Sequence, residues 1–274
     1  MSRFSPEAVF DDASCTSCGR CRIVCPVSAV SQDGSGRPSF DPRRCIACGH
    51  CAAYCPAGAF GAKEPAGAEP CGCDSLMALL AKRRSTRFFD GSSITDAELA
   101  RVLEPVGWSP TGVNACGLSV RAFRDEEALA LGAGIVKTAR LLGRCGLLGI
   151  LGALTGTRPF LAREAAGEDL VFRRAPLVLF FFSPRSNPTS LSDGIIAATL
   201  VMTAAEAMGL GTFWNGVAMA LYPLMPGWRR SCGTRKGARL CAVLCAGRPA
   251  WEPGPVPPRD WELLGPAIPG AGRA

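Results

Sequence analysis

The sequence predicts an α+β protein in two unequal parts, and two observations predict it. A cysteine run of the form C-x2-C-x2-C-x3-C-P occurs twice near the start, at Cys15, Cys18, Cys21, Cys25 and Pro26, then thirty residues on at Cys45, Cys48, Cys51, Cys55 and Pro56. Beyond it, helical and strand-like segments mix without a regular βαβ alternation, which favours α+β over a doubly wound sheet. At 274 residues the chain is long enough for two domains.

The first part runs over residues 1–62. Three closely spaced thiolates can wrap three corners of a cubane, and the fourth cysteine of such a run ligates the cluster of the other repeat. The spacing therefore predicts Cys15, Cys18, Cys21 and Cys55 on one [4Fe–4S] cluster, and Cys45, Cys48, Cys51 and Cys25 on a second. A structural zinc site takes paired C-x2-C elements across a longer spacer and has no call for a third cysteine or a following proline. Apolar residues before each run (Val9, Phe10; Phe40) and after it (Val27, Val30; Ala57, Phe60) suit short strands flanking the cluster loops. So small a unit has little core, and its clusters act as staples. Along its whole length this part resembles a bacterial two-cluster ferredoxin.

Residues 63–74, rich in Pro, Gly and Ala, read as a linker. Asp74 is expected to cap a helix with the apolar stripe Leu76, Leu79 and Leu80. That helix runs into Arg83-Arg84-Ser85-Thr86-Arg87. Thr95-Asp96-Ala97-Glu98 is a capping box that opens a helix with Leu99, Val102, Leu103 and Val106 on one face, and Pro105 ends or bends it. Ala175–Phe182 reads as a central strand buried on both faces, Gly194–Met208 as a buried helix and Leu240–Cys245 as another strand. The longest apolar stretches, Cys145–Gly156 and Gly194–Ala205, are too short to span a bilayer and read as buried helices or core segments.

Three guanidinium groups and a hydroxyl just past a helix end make a fork for a phosphate. Cations there also complement the negative helix C-terminus, and spacing alone leaves both readings open. From Leu76 to about Arg259 the chain resembles the FMN-dependent nitroreductase family. The residues that carry the resemblance are Arg83–Asp90 (RRSTRFFD), Ser109–Asn114 (SPTGVN), Phe172–Pro176 (FRRAP), Asp193–Gly194 through Glu206–Thr212, and Trp214-Asn215-Gly216. By that resemblance the flavin domain covers 75–265, with 266–274 a tail, and holds a mainly antiparallel central sheet and a helical dimer core. The resemblance implies that Arg83, Ser85 and Arg87 hold the FMN phosphate and ribityl, with Arg84 nearby. It implies that Asn114 contacts the ring and that the Gly216 N–H, next to Asn215, donates towards flavin N5. A further cation near the C-terminus falls to Arg259, then Arg248. Two departures stand out. The asparagine loop continues Ala115-Cys116-Gly117-Leu118 where the family has x-Gln-Pro-Trp, and Asn215 stands where many members are acidic.

The single histidine, His50, lies between Cys48 and Cys51, so none remains for a Ser–His or Cys–His pair, an H-E-x-x-H site or a His base in the second part. Gly143, Gly146, Gly149 and Gly152 lack the strand and acidic partner of a dinucleotide fingerprint, and close helix packing accounts for them. Candidates for a catalytic role are Cys116, Asn215 and Tyr222. The other cysteines outside the runs read mainly as buried hydrophobes, with Cys71 and Cys73 a possible extra metal or disulfide element. The formal net charge of +7 falls to about +1 once two clusters and a flavin phosphate are counted, and the arginines read as scattered, which argues against nucleic acid. No signal pattern opens the chain, and a reducing cytoplasm suits the free thiols. The expected activity is reduction of a small electrophile (nitroaromatic, quinone or activated alkene) by a homodimeric flavoprotein fed single electrons, from reduced ferredoxin or another low-potential donor, through its clusters. Its rivals are an NAD(P)H-fed enzyme passing electrons outward, a non-catalytic redox sensor or carrier, and a specialised reductase such as a dehalogenase.

Overall fold

The computed structural model describes residues 5–61, 71–146, 158–233, 236–252 and 254. They divide into two compact units: residues up to the linker together with Thr111–Cys116, and the rest.

In the first unit the thirty-residue repeat is visible in the backbone. Helices α1 (Pro6–Val9), α2 (Arg20–Ile23) and α3 (His50–Ala53) surround a hairpin of β1 (Val30–Gln32) and β2 (Pro38–Phe40), paired antiparallel with Val30 opposite Phe40. The Asp11 N–H donates to the Ala59 carbonyl at 2.7 Å, and the Asp41 N–H donates to the Ala29 carbonyl at 2.8 Å. Each repeat thus ties its start to the end of the other. Phe10, Phe40 and Phe60 form one aromatic cluster, with ring centroids 5.3–5.9 Å apart. Only part of the expected strand content forms. Val30 and Phe40 lie in strands, Val9 lies in α1, and Phe10, Val27, Ala57 and Phe60 lie outside strands. Phe10 and Phe60 serve the small core instead of a ladder, and Val9 is exposed.

The second unit is a four-stranded antiparallel sheet in the order β3-β4-β6-β5, from β3 (Ser119–Arg124), β4 (Leu177–Pro184), β5 (Gly211–Trp214) and β6 (Ala238–Gly247). Both expected strands are present: β4 is shifted two residues towards the C-terminus of the expected span, and β6 extends beyond its own at both ends. On β4, Val178, Phe180 and Phe182 enter one core with Phe123, Val243 and Trp228. Leu177, Leu179 and Phe181 enter the other, with Leu244 and the helix residues Ala197, Ala198 and Val201. Strict alternation with both faces covered explains why β4 reads as an unbroken apolar run. Truncating one such phenylalanine costs about 3–5 kcal/mol.

Helices α4 (Cys73–Lys82), α5 (Asp96–Leu103), α6 (Pro105–Trp108), α7 (Asp125–Arg144), α8 (Arg158–Ala166), α9 (Ser190–Ala207), α10 (Gly216–Leu221) and α11 (Pro226–Cys232) complete the unit. The capping box at Thr95 and Glu98 forms on both sides. Pro105 ends α5 as expected, and it does so by starting α6 at a position that needs no amide donor. Helix α4 begins earlier than Asp74: Gly72 is its N-cap and Asp74 lies in its first turn, so the structured part starts inside the span read as linker. Helix α9 crosses β6 so closely that a β-carbon on Gly194 would overlap Cys241. Its other face stays open: Ile195, Ile196 and Leu200 are exposed, as are Leu76, Met77 and Leu80 of α4, so the reading of α9 as buried all round does not hold for a single chain. Of the Cys145–Gly156 stretch, Cys145 is exposed and caps α7, Gly146 follows it, and the remainder lies outside the described residues, with Gly149 and Gly152. Among the described residues no helix is long and apolar enough to cross a membrane.

Candidate functional site

The two cysteine runs enclose two cavities. Cys15, Cys18, Cys21 and Cys55 line one, with about 360 Å³ of atom-free space that opens to solvent, against Phe10 and Phe60. Cys45, Cys48, Cys51 and Cys25 line the other, again about 360 Å³, against Val30 and Ile46. Backbone geometry repeats with them. The Ser17 and Ala47 amides donate to Cys15 Sγ and Cys45 Sγ, both at 3.4 Å. The Ala29 and Ala59 amides donate to Cys25 Sγ at 3.1 Å and Cys55 Sγ at 3.4 Å. To aim these N–H groups inward, Ser17 and Ala47 adopt left-handed φ of 55° and 56°, followed by Gly19 and Gly49 at 71° and 75°. Strained backbone at non-glycine residues costs about 1–3 kcal/mol each and is found where a site over-determines it. Amide donors aimed at sulfur suit thiolates that carry cluster charge. Among the described residues no three His, Cys, Asp or Glu side chains converge on a point that suits one metal ion. These donor sets ring a space of several atoms, which fits a cubane. His50 is exposed and sits edge-on to Tyr54, with ring centroids 6.3 Å apart.

In the second unit, α4 delivers Arg83–Arg87 to the edge of β5. Ser85 forms a parallel bridge to Thr212, and the Thr86 N–H donates to the Thr212 carbonyl at 3.0 Å. The four cations divide by what they touch. Arg84 Nη1 donates to the Ala81 carbonyl at 2.5 Å and the Arg83 carbonyl at 2.8 Å, so this side chain caps the helix C-terminus. Arg248 pairs with Glu98 and donates to Ser93 O at 3.0 Å and Ser92 Oγ at 3.2 Å, which commits its fork to α5. Arg83 and Arg87 have no ion-pair partner among the described residues, and Arg87 lies 5.9 Å over the Phe213 ring. Arg259 lies outside the described residues. Thr212 Oγ1, next to Ser85, is buried without a hydrogen-bond partner. Two guanidinium groups without an ion-pair partner among the described residues, an exposed Ser85 hydroxyl and that orphan oxygen fit a phosphate ester, although Arg87 Nη1 also donates to the Ser85 carbonyl at 3.4 Å. Glu206 was missed by the sequence reading. Burial holds its carboxyl above the usual range, opposed by Lys82, Arg83 and Arg84.

Asn215 turns inward. Its Nδ2 donates to the Val171 carbonyl at 2.8 Å and its Oδ1 accepts from the Ala218 N–H at 2.9 Å, making it the N-cap of α10. The side chain therefore positions Gly216 and has no free end for substrate. Gly216 opens α10, where an N–H has no intrahelical acceptor, and space beside its α-carbon is open to 4 Å. Tyr222 packs in tilted contact with Phe180 and Phe182, with centroids 5.9 Å from each. Asn114 and Cys116 belong to the first unit by contact. Asn114 Nδ2 donates to the Ile46 carbonyl at 2.9 Å, inside the second cysteine run, and Cys116 is exposed with its N–H on Thr111 Oγ1 at 3.0 Å.

The nitroreductase family profile matches residues 80–248. The chain belongs to the nitroreductase family. A profile for a 4Fe-4S dicluster domain matches residues 14–59, so this nitroreductase carries an iron–sulfur domain ahead of its oxidoreductase domain. No curated protein sequence matches the chain. Among solved structures it is similar to an FMN-bound nitroreductase from Bacteroides fragilis NCTC 9343, with TM-score 0.55 and 16% identity over 70% of this chain and 97% of that one. An FMN-dependent nitroreductase from Clostridium difficile R20291 gives TM-score 0.54 and 18% identity over 72% and 100%. An FMN-bound nitroreductase from Desulfitobacterium hafniense DCB-2 gives 0.53 and 18% over 67% and 94%. At these identities the likeness concerns the fold.

Proposed function

We propose that this nitroreductase holds one FMN and two [4Fe–4S] clusters and reduces a small electrophilic acceptor (a nitroaromatic, quinone or activated alkene) with electrons taken singly from a low-potential donor. The observation that carries the reading is the sorting of eight cysteines into two rings, each with three from one repeat and the fourth from the other. Iron–sulfur centres supply one-electron transfer, and FMN supplies the coupling of single electrons to a two-electron reduction.

The chain's own residues bind and orient. Cys15, Cys18, Cys21 and Cys55 ligate one cluster, and Cys45, Cys48, Cys51 and Cys25 the other. Arg83, Ser85 and Arg87 hold the flavin phosphate, with Thr212 Oγ1 as a further partner and Arg84 shaping the helix end. The Gly216 N–H, fixed by Asn215, is the donor towards the ring. The exposed apolar faces of α4 and α9 support a homodimer that covers them.

Stopped-flow mixing of anaerobic protein tests the donor. Rapid bleaching by reduced ferredoxin and slow bleaching by NADPH agrees with the proposal. Rapid flavin bleaching by NADPH overturns the donor assignment, and no turnover of any acceptor by fully loaded protein overturns the enzymatic one.

A further inference from the structure

Arg185 and four cations of the 229–239 segment meet in one open cleft of the second unit. Arg185, Arg229, Arg230, Lys236 and Arg239 line it with Tyr222, and no carboxylate does among the described residues. The fold gathers them. Pro184 at the end of β4 pairs with Ala238 at the start of β6, and the Arg185 N–H donates to the Gly237 carbonyl at 2.8 Å. Helix α11 then adds Arg229 and Arg230 from its last turn. All five are exposed, and none has an ion-pair partner among the described residues. Complementing the C-terminus of α11 accounts for Arg229 and Arg230 alone, because the other three lie outside the helix.

Five unpaired like charges repel one another unless a partner neutralises them. The cleft they line holds about 1860 Å³ of atom-free space, open to solvent, far more than one phosphate fills. They also lack the successive stacking aromatics of a single-strand binder, since Tyr222 is the one aromatic on the walls. A carboxylate-rich protein surface fits, with Tyr222 and Leu240 as a small apolar centre inside a charged rim. We propose that this cleft is the docking surface for a soluble one-electron carrier protein with an acidic face. The inference rests on the proposed function, which requires a donor of single electrons. Such complementarity raises association rates at low salt and sets partner choice.

The test measures binding of the as-isolated protein to oxidised plant-type [2Fe–2S] ferredoxin of strongly negative net charge, by isothermal titration at several salt concentrations. The expected result is an affinity that falls steeply with salt. The variants R229E/R230E and R185E/R239E should each weaken it about tenfold or more and flatten the salt slope, with iron and flavin content unchanged. Wild-type affinity in both variants, or wild-type binding indifferent to salt, overturns the docking surface. So does loss of binding to phosphatidylserine vesicles or duplex DNA in variants that still bind ferredoxin normally. The cofactor reading is judged separately from the absorption spectrum of the same samples. A colourless protein that still shows charge-dependent binding overturns that reading and keeps the cleft as an acidic-protein site.

Discussion

Asn215 caps α10 through the Ala218 N–H at 2.9 Å while its Nδ2 holds the Val171 carbonyl at 2.8 Å, so one buried side chain fixes the helix that presents Gly216. Replacing it with alanine removes the cap and leaves a buried carbonyl unpaired. Each loss costs about 1–2 kcal/mol. N215A should therefore lower stability by about 2–4 kcal/mol in urea unfolding and retain FMN poorly. N215D keeps the cap acceptor but turns a carboxylate oxygen on the Val171 carbonyl, and it should fare no better than alanine.

The crossed ligand sets make a sharp prediction for Cys55. C55S should disturb the cluster of Cys15, Cys18 and Cys21 and spare the cluster of its own run. Iron analysis and EPR of the reduced protein check this. The complementary variant C25S should alter the other signal.

Asn114 reaches into the second cysteine run through the Ile46 carbonyl at 2.9 Å. N114A should shift the potential or the EPR line shape of the cluster held by Cys45, Cys48, Cys51 and Cys25, because hydrogen bonds near the sulfurs tune such centres. The other cluster should not change.

Arg87 and Arg248 separate binding from scaffolding. R87A removes a guanidinium that makes no ion pair among the described residues from the proposed phosphate site and should weaken FMN by about tenfold or more, as expected for a lost charged hydrogen bond. R248A breaks a part-exposed pair with Glu98 and should lower the melting temperature slightly with little change in FMN affinity. Flavin fluorescence titration and thermal melts distinguish the two.

Glu164 on α8 is buried with one oxygen on the Leu170 N–H at 2.9 Å and the other unpaired. Burial, with Asp169 and Glu168 adding, pushes its carboxyl up to about 7 from 4.5. A raised acid is neutral in the fold, so its contribution is fully present below about pH 4.5 and is lost as pH rises through about 7. Wild-type stability should fall by up to about 3 kcal/mol over that window. E164Q should flatten the profile, which urea unfolding at pH 5 and pH 8 would show.

How much of this was legible in the sequence depended on how local each signal was. The cysteine runs are short and repeat in register, so the ring memberships could be read from spacing. The apolar run of β4 marked a strand, but its last two residues, Ser183 and Pro184, carry no apolar signal. Asp74 drew the helix cap away from Gly72 because a side-chain acceptor is visible in sequence and a backbone conformation is not. Arg248 resembled a phosphate ligand until the fold brought Glu98 to it from 150 residues away. Arg229, Arg230, Lys236 and Arg239 cluster within one short segment of the sequence, but Arg185 joins them only through the β4–β6 pairing.

The most direct measurement is iron, sulfide and flavin content, with an absorption spectrum, on protein purified without oxygen. About eight irons, about eight sulfides and one FMN per chain are expected. Zinc in place of iron, or a preparation with no yellow chromophore, would contradict this.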